Sequence, residues 1–380
     1  MSKLISEPFQ TIYRMEYRAI GIMSGSSLDG LDVAFVVFNE SGGKWTWEIE
    51  HAACLPYSSE WVEKLKNAIH LSARDYLVLH CAYGHYIGQQ VDAFIEENGL
   101  QHRVQLISSH GHTIFHEPQH GMTGQIGDGA AIAAATGINT VSDLRAMDVA
   151  LGGQGAPIVP MGEKLLLAEY PLLLNLGGIA NISAALPEGY IAYDICPANR
   201  VLNMLVAEKG LEYDDGGKMA ASGFVRDEVL ATLNQLPFYA QPYPRSLAND
   251  FGTDVVYPIL KNANLSTADA LRTMVEHVNV QVTRNTGRLA NKLPSEMPKK
   301  MLATGGGAFN SFLISRLQAS LAPMGVEVVV PDAKVVNYKE ALVMALLGVL
   351  RWREANTVLH TVTGASRSSI GGAVWIGQDA

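Results

Sequence analysis

The chain has 380 residues, which is more than one ordinary core holds and favours two domains or one large two-lobed α/β protein. Apolar residues make up 48% and charged residues 17%, and the 36 glycines follow no period, so disordered, collagenous and coiled-coil chains are excluded. The net charge of -9, with no dense Lys/Arg cluster, argues against a polyanion-binding surface, and we expect no nucleic acid partner.

Cysteine usage and hydropathy indicate the compartment. Cys54, Cys81 and Cys196 form an odd, widely spaced set, which fits a reducing environment better than a disulfide framework or a thiolate zinc site. The N-terminal stretch MSKLISEPFQ has no apolar signal core, and the longest apolar stretch, 341–350, is about half a membrane span. We therefore expect a cytoplasmic protein with no membrane partner.

The first part of the chain is rich in predicted strands and then alternates. Short β-branched or alternating runs predict strands, and polar starts with Asn-Gly or Gly stops predict helices. The predicted strands are 18–23, 31–38, 45–51, 106–108 and 139–141, and the predicted helical regions are 58–100 and 130–135.

The second part repeats this order. Strands are predicted at 172–176, 190–193, 301–303 and 326–330, and helices at 198–209, 226–236, 268–291 and 338–352. Each half therefore begins with strands joined by a tight polar or glycine turn and continues with alternating helices and strands. This repetition predicts two similar α/β lobes with a cleft between them.

Four turns rich in Gly, Ser or Asp stand where predicted strands end, at 24–30, 152–157, 175–181 and 305–310. Glycine lets backbone N–H groups converge on a phosphate, although each turn taken singly is more often a plain hairpin or helix cap. Four together favour a nucleotide site. The P-loop pattern and the three-glycine Rossmann fingerprint are both absent, so the nucleotide fold is of another kind.

Paired hairpin turns in two similar lobes are the arrangement of the sugar kinase/Hsp70/actin superfamily. Within it the sequence resembles the anhydro-N-acetylmuramic acid kinase family, through strings that follow one another along nearly the whole chain. These strings are GIMSGSSLDGLDVA, SHGHTIFHEP, QIGDGAAIA, SDLRAMDVALGGQGAPIVP, LNLGGIANIS, ATGGGAFN, the helix with Glu340, and TGA at 363–365.

The resemblance implies an α/β fold of two RNase H-like lobes, a duplicated βββαβαβα core with an interlobe cleft. We expect an N-terminal lobe from 1–142 plus 359–380 and a C-terminal lobe from 143–358. The implied activity is an ATP- and Mg²⁺-dependent kinase that opens the 1,6-anhydro ring of anhydro-N-acetylmuramic acid with water and phosphorylates O6. The product is N-acetylmuramic acid 6-phosphate in peptidoglycan recycling, and a homodimer is expected.

The resemblance also assigns the ATP-binding residues. They are Ser24, Gly25, Ser26, Ser27, Leu28, Asp29 and Gly30 of the first turn, Gly177 and Gly178 of the second, and Gly305, Gly306, Gly307 and Asn310 on the adenosine side. For Asp29, closing its own hairpin is an equally good interpretation.

Asp194 stands at the position of the family's catalytic aspartate, where a carboxylate can act as general base. Glu340 matches the family glutamate that, with the aspartate, helps to hold Mg²⁺ directly or through water. A glutamate in the first turn of a helix is otherwise commonplace, because the helix dipole favours it.

The sugar is assigned by resemblance to His110, Arg145, Gln154 and Asn199. Arg145 could pair bidentately with the lactyl carboxylate, or else form a buried ion pair with its acidic neighbours. His110, His112 and His116, read without the family, suggest zinc, but sugar contact or loop packing is the better interpretation. The family commonly has glutamine at His112.

The sequence departs from the family pattern near the proposed base. Cys196 and Ala198 replace glycines and Asn203 replaces an aspartate, while Ala248 and Asn249 replace a glycine and a basic residue. These differences leave open a kinase of a related 1,6-anhydrosugar. A non-catalytic ATP-gated binding protein on the same fold, a metal hydrolase built on the histidines and a thiol nucleophile at Cys196 are weaker alternatives.

Overall fold

The computed structural model describes residues 15–25, 27–243, 245–248 and 250–378. The N-terminal stretch, the predicted ATP-binding residue Ser26 and the family departure Asn249 therefore lie outside the described residues. The strands are β1 Met15–Ser24, β2 Gly30–Ser41, β3 Lys44–Pro56, β4 Leu106–Ser109, β5 His112–Glu117, β6 Met122–Ile126, β7 Thr140–Ser142, β8 Leu172–Leu176, β9 Ile179–Leu186, β10 Gly189–Pro197, β11 Lys300–Thr304, β12 Glu327–Val329 and β13 Ala373–Trp375.

The helices are α1 Ser59–Asn67, α2 Ala73–Glu97, α3 Gly129–Thr136, α4 Ala146–Ala150, α5 Val159–Leu166, α6 Asn199–Ala207, α7 Lys218–Ser222, α8 Asp227–Asn234, α9 Tyr257–Asn262, α10 Thr267–Ala290, α11 Ser311–Leu321, α12 Ala333–Trp352 and α13 His360–Thr363. A π-helical turn, Phe251–Val256, precedes α9. In the described part of the chain, none of these helices is both long enough and apolar enough to span a bilayer. The three cysteines are free thiols.

The described residues divide into two compact units. Unit 1 runs to Met147 and adds Ala341–Thr357 and the chain from Ile370, and unit 2 contains Asp148–Glu340 and Val358–Ser369. The sheet of unit 1 has the order β13-β7-β4-β1-β2-β3. β1, β2 and β3 are antiparallel neighbours, whereas β4 and β7 continue the sheet parallel to β1.

The sheet of unit 2 repeats this design. Its order is β10-β9-β8-β11-β12, with β8, β9 and β10 antiparallel and β11 and β12 parallel to β8. Numbered within each unit, both sheets read 3-2-1-4-5, with β13 added at one edge of unit 1. The predicted duplication of an RNase H-like βββαβαβα core is therefore confirmed.

Local sequence signals explain where the main helices begin and end. The hydroxyls of Ser72 and Ser266 accept hydrogen bonds from backbone N–H groups three residues on, which caps α2 and α10. α3 ends at Gly137, whose φ of 68° is the left-handed value that glycine adopts without strain. These boundaries agree with the predicted ones.

The two units differ from the predicted lobes in three places. Residues 143–147 belong to unit 1. Residues 341–357 belong to unit 1, because α12 lies so close to the sheet that a Cβ on Gly21 would overlap the carbonyl of Ala341. Residues 359–369 belong to unit 2, where Thr361 donates to the carbonyl of Tyr190 at 3.2 Å.

Several elements also differ from the predicted ones, and two of them bear on the site. The β5–β6 hairpin was not predicted, because its polar sequence lacks β-branched alternation. β10 does not end before Asp194 but continues through it to Pro197, with a bulge between Asp194 and Cys196.

The Gly21 contact generates the first prediction. Gly21→Ala places a methyl group against the backbone of α12, and we expect it to destabilise the protein by about 1–3 kcal/mol, the usual cost of overpacking. Denaturant unfolding measures this. Gly287→Ala is the control, because its Cβ would meet only the flexible end of Met324 at 3.2 Å and alanine favours a helix interior. Equal stability of the two variants would contradict the packing argument.

Candidate active site

The first predicted phosphate turn joins β1 to β2. Asp29 accepts from the hydroxyl of Ser27 at 2.6 Å and from the N–H of Gly30 at 3.1 Å, so its carboxylate closes the turn. Leu28 has a φ of 59°, an uncommon value for a residue with a side chain and one that clusters at functional sites. The contacts of Asp29 support the hairpin-closing interpretation, and the phosphate role of the turn stays a prediction.

Ser24 belongs to a buried hydroxyl network beneath this turn. Its Oγ lies 2.7 Å from the Tyr57 hydroxyl and 2.8 Å from Nδ1 of His112, and Tyr57 in turn lies 2.6 Å from the Tyr83 hydroxyl. Burial raises the pKa of Tyr57 to about 12, so its phenol stays neutral. Ser24 is 3% exposed, and its side chain therefore supports the turn from inside.

His110 and Arg145, two predicted sugar ligands, are brought into contact in unit 1. Nδ1 of His110 lies 2.8 Å from the carbonyl of Gly111, and Nε2 accepts a hydrogen bond from Nε of Arg145 at 2.8 Å. Burial, together with the charge of Arg145, lowers the pKa of His110 to about 3. A neutral imidazole with Nδ1 protonated satisfies both contacts and orients the guanidinium.

The acidic neighbours of Arg145 have partners of their own. The carboxylate of Asp148 accepts from the Thr363 hydroxyl and from the N–H of Gly155, both at 2.7 Å, and Asp143 accepts from the Ser142 hydroxyl at 2.6 Å. Gln154 is exposed and donates its backbone N–H to the carbonyl of Thr363. The three histidines of the zinc hypothesis also point to separate partners, since His116 bonds Thr123.

The second and third glycine turns meet in unit 2. A Cβ on Gly307 would lie 2.7 Å from Cβ of Leu176, the last residue before Gly177-Gly178. Asn199 holds the second turn, because its side chain donates to the carbonyl of Leu176 at 2.8 Å and its N–H donates to that of Gly177 at 3.1 Å. Its side chain also lies beside the third turn, since a Cβ on Gly307 would be 2.8 Å from Oδ1 of Asn199. The role of Asn199 as a sugar ligand stays a prediction.

Asn310 is the N-terminal cap of α11. Its Oδ1 accepts from the N–H of Leu313 at 2.9 Å and caps α11. The glycine turn 305–307 and the start of α11 are thereby held as one piece, with Gly305 at a φ of 78°.

Asp194 is half-buried at the bulge of β10. Oδ2 accepts from the N–H of Leu247 at 2.8 Å and from the hydroxyl of Ser246 at 3.4 Å. Burial raises the pKa of Asp194, while the bonds from Leu247 and Ser246 and the positive charge of Arg245 work in the opposite direction. The carboxylate of Asp194 is therefore fixed by hydrogen bonds and partly removed from water. A general base is expected to have such an environment.

Glu340 lies just after a kink in its helix. α12 begins at Ala333, but its backbone is not helical at Tyr338, where φ is -116°. Glu340 is therefore half-buried in the first turn after the kink, a position that the helix dipole also favours for a glutamate. Its neighbour Lys339 forms a buried ion pair with Glu163 at 2.9 Å. This pair anchors the helix segment that carries Glu340.

Unit 2 offers carboxylate oxygens that suit Mg²⁺ bound together with a nucleotide. Among the described residues there is no cluster of three or more His, Cys, Asp or Glu side chains arranged to hold a metal. Mg²⁺ commonly takes only one or two carboxylates and completes its shell with phosphate oxygens and water. Asp194 and Glu340, both half-buried carboxylates, fit that role.

Sequence reasoning missed the segment that holds Asp194. Only Ala248 and Asn249, which follow this segment, were marked by their departure from the family pattern, and Arg245, Ser246 and Leu247 were given no role. No periodicity or motif marks a loop N–H that reaches a carboxylate 53 residues away along the chain.

Comparison with known proteins gives the family. The model of the family "Anhydro-N-acetylmuramic acid kinase" matches residues 17–377. A curated anhydro-N-acetylmuramic acid kinase of Hydrogenovibrio crunogenus is 33% identical, over 94% of this chain and 97% of the relative. That of Haemophilus influenzae is 31% identical over 94% and 97%, and that of Zymomonas mobilis is 36% identical over 80% and 84%.

Among solved structures, a ROK family glucokinase from Streptomyces griseus in complex with glucose and AMPPNP is 11% identical and covers 87% of this chain and 99% of its own, with a TM-score of 0.39. The fold assignment therefore comes from the strand order of the two units. With the family match spanning nearly the whole sequence, the chain belongs to the anhydro-N-acetylmuramic acid kinase family.

Proposed function

We propose that this protein is an ATP-dependent kinase that hydrolyses the 1,6-anhydro ring of anhydro-N-acetylmuramic acid and phosphorylates O6. The product is N-acetylmuramic acid 6-phosphate, which places the enzyme in peptidoglycan recycling. Membership of the kinase family supports the reaction class. The observation that carries the assignment is the half-buried Asp194 carboxylate held by the N–H of Leu247.

Asp194 acts as the general base. It accepts a proton from a water molecule, the water oxygen bonds to the anomeric carbon, and the bond from that carbon to O6 breaks. O6 then bonds to the γ-phosphorus of ATP, and the bond from that phosphorus to the β–γ bridging oxygen breaks, which releases ADP. The N–H of Leu247 and the hydroxyl of Ser246 occupy Oδ2 from one side, which fixes the direction of the carboxylate relative to the water.

The phosphates of ATP are held by backbone N–H groups of the glycine turns. The first turn contributes residues 24–30, including Ser26. The second turn contributes Gly177 and Gly178. Gly305, Gly306, Gly307 and Asn310 face the adenosine. Mg²⁺ neutralises phosphate charge when it is bound. Asp194 and Glu340 would hold it, directly or through water.

The sugar is bound by Arg145, oriented by His110, with Gln154 and Asn199 as further contacts. The glycine replacements near Asp194 do not argue against the muramic acid substrate, because Cys196 and Ala198 are fully buried in the core of unit 2. Burial also raises the pKa of the Cys196 thiol far above its ordinary value, so a thiolate nucleophile is disfavoured. A related anhydrosugar lacking the lactyl and acetamido groups is the second candidate substrate.

We place the enzyme in the cytoplasm as a homodimer, in keeping with its substrate and its free thiols. The oligomeric state is tested by light scattering of the purified protein. A monomer at micromolar concentration would contradict the dimer without touching the catalytic assignment.

The role of Asp194 gives the second prediction. Asp194→Asn keeps the size of the side chain but removes the base, and we expect kcat to fall by about 10²–10⁴-fold, the usual contribution of general base catalysis. Mass spectrometry of the product from Mg-ATP and the anhydrosugar measures this, and the product must contain one phosphoryl group and one added water. Asp215→Asn, whose side chain is 75% exposed, is the control and should keep full activity. Turnover by Asp194→Asn at the wild-type rate would instead point to a non-catalytic role.

The third prediction separates the two candidate sugars. Arg145→Met removes a charged partner of the lactyl carboxylate, a type of hydrogen bond worth about 1.5–3 kcal/mol, so kcat/KM for anhydro-N-acetylmuramic acid should fall by about 10–100-fold. The analogue that keeps the acetamido group but lacks the lactyl group should be much less affected. Arg226→Met, which breaks an ion pair with Asp269, is the control. Equal losses on both sugars would rule out the carboxylate contact.

A further inference from the structure

Arg245 occupies an unusual place next to Asp194. The residue is 8% exposed, and its guanidinium converges on backbone carbonyls from two segments of unit 2. Nη1 donates to the carbonyl of Gln241 at 3.0 Å, and to those of Tyr239 and Phe238 at 3.4 and 3.5 Å. Nε donates to the carbonyl of Asp194 itself at 3.2 Å.

The backbone of Arg245 completes this connection. Its own carbonyl accepts the N–H of Asp194 at 3.1 Å, so the main chain of Asp194 is bonded to Arg245 on both its N–H and its C=O. The next two residues along the chain, Ser246 and Leu247, are those that contact the Asp194 carboxylate. One side chain therefore links the strand that carries the carboxylate to the loop that orients it.

Backbone carbonyls surround the Arg245 guanidinium, although burial lowers its pKa. Within the described residues, no carboxylate lies at ion-pair distance from the Arg245 guanidinium, whereas four carbonyl oxygens point toward it. The Cζ atom of Arg245 also lies 4.8 Å from the ring centroid of Phe238 and 6.0 Å from that of Tyr193. Both distances are within cation-π range. Converging carbonyl dipoles repel one another unless a positive group lies among them, and a planar five-donor fork fits them better than an ammonium.

Resting on the proposed function, we propose that Arg245 is a positioning residue for catalysis, whose cationic fork fixes the 245–248 loop so that the N–H of Leu247 holds the Asp194 carboxylate in its reactive direction. Arg245 touches neither sugar nor ATP in this role. Its loss therefore lowers kcat through misplacement of Asp194 and leaves the KM for ATP unchanged. Displacement of a reacting group by about 1 Å costs on the order of 10²-fold in rate.

The test uses Arg245→Ala in the full-length protein, with Arg316→Ala as the matched control. Arg316 also lies in unit 2 and pairs with Glu276, away from Asp194. We expect kcat of Arg245→Ala to fall by about 10²-fold. Millimolar guanidinium chloride should restore part of it by occupying the vacated space, whereas urea, a neutral molecule of the same shape, should not. The control should respond to neither additive.

A second readout is independent of turnover. In protein labelled with ¹⁵N-leucine, the Leu247 amide proton reports its bond to the carboxylate, and Asp194→Asn identifies the resonance by moving it. Arg245→Ala should move the same resonance upfield, and guanidinium should return it. If the wild-type protein phosphorylates no anhydrosugar, the proposed function fails, and the Leu247 resonance still decides the role of Arg245.

Several results would overturn the inference. A wild-type kcat with an unmoved Leu247 resonance in Arg245→Ala would do so, as would a loss that urea repairs as well as guanidinium. If Arg245→Ala does not fold, Arg245→Lys decides, because it keeps the charge but cannot reach all four carbonyls. Reduced kcat with a displaced Leu247 resonance supports the positioning role, and wild-type values of both exclude it.

Discussion

Close approach of backbone to backbone, without side chains between, is the constraint on which this molecule depends. In unit 1 the helix α12 reaches the central strand β1 only because Gly21 has no Cβ to meet the carbonyl of Ala341. In unit 2 the turn at Gly305–Gly307 reaches the end of β8 for the same reason, since a Cβ on either of these glycines would overlap neighbouring atoms. The first contact builds the core, and the second shapes the turn that we propose faces the nucleotide, so the fold and the proposed site depend on the same kind of contact.

The proposed catalytic carboxylate illustrates a second principle, which is that burial and hydrogen bonding have opposite effects on the same group. Removing Asp194 from water favours its neutral form, while the Leu247 N–H, the Ser246 hydroxyl and the Arg245 charge favour the ionised form. A base needs both influences, because desolvation strengthens its affinity for a proton and the donors keep it available. Arg245 takes part in the balance through its charge, through its hydrogen bond to the carbonyl of Asp194, and through the loop that follows it.

Much of the fold could be predicted from the sequence, because its central strands are β-branched and its helices begin with capping serines. The duplicated sheet and the glycine turns followed directly from those local signals. The hairpin β5–β6 did not, since His112 and His116 interrupt the alternation that marks a strand. The start of α12 was missed although a signal was present, for Asp332 accepts from the N–H of Val335 at 2.9 Å as an N-terminal cap. The hydrogen bonds that Leu247 and Arg245 make to Asp194 could not be predicted. They join an irregular loop to a distant strand, and no periodic pattern in the sequence marks them.

The assignment of residues to the two units has a consequence for how the protein is made. The chain passes from one unit to the other at 147/148, 340/341, 357/358 and 369/370, and β13 joins the edge strand β7 of unit 1 only at Ala373–Trp375. On the ribosome β7 is therefore made long before β13, and its outer edge stays unpaired until β13 emerges. Unpaired edges are the kind of surface on which nascent chains associate with one another. In the folded protein, pairing with β13 covers this edge.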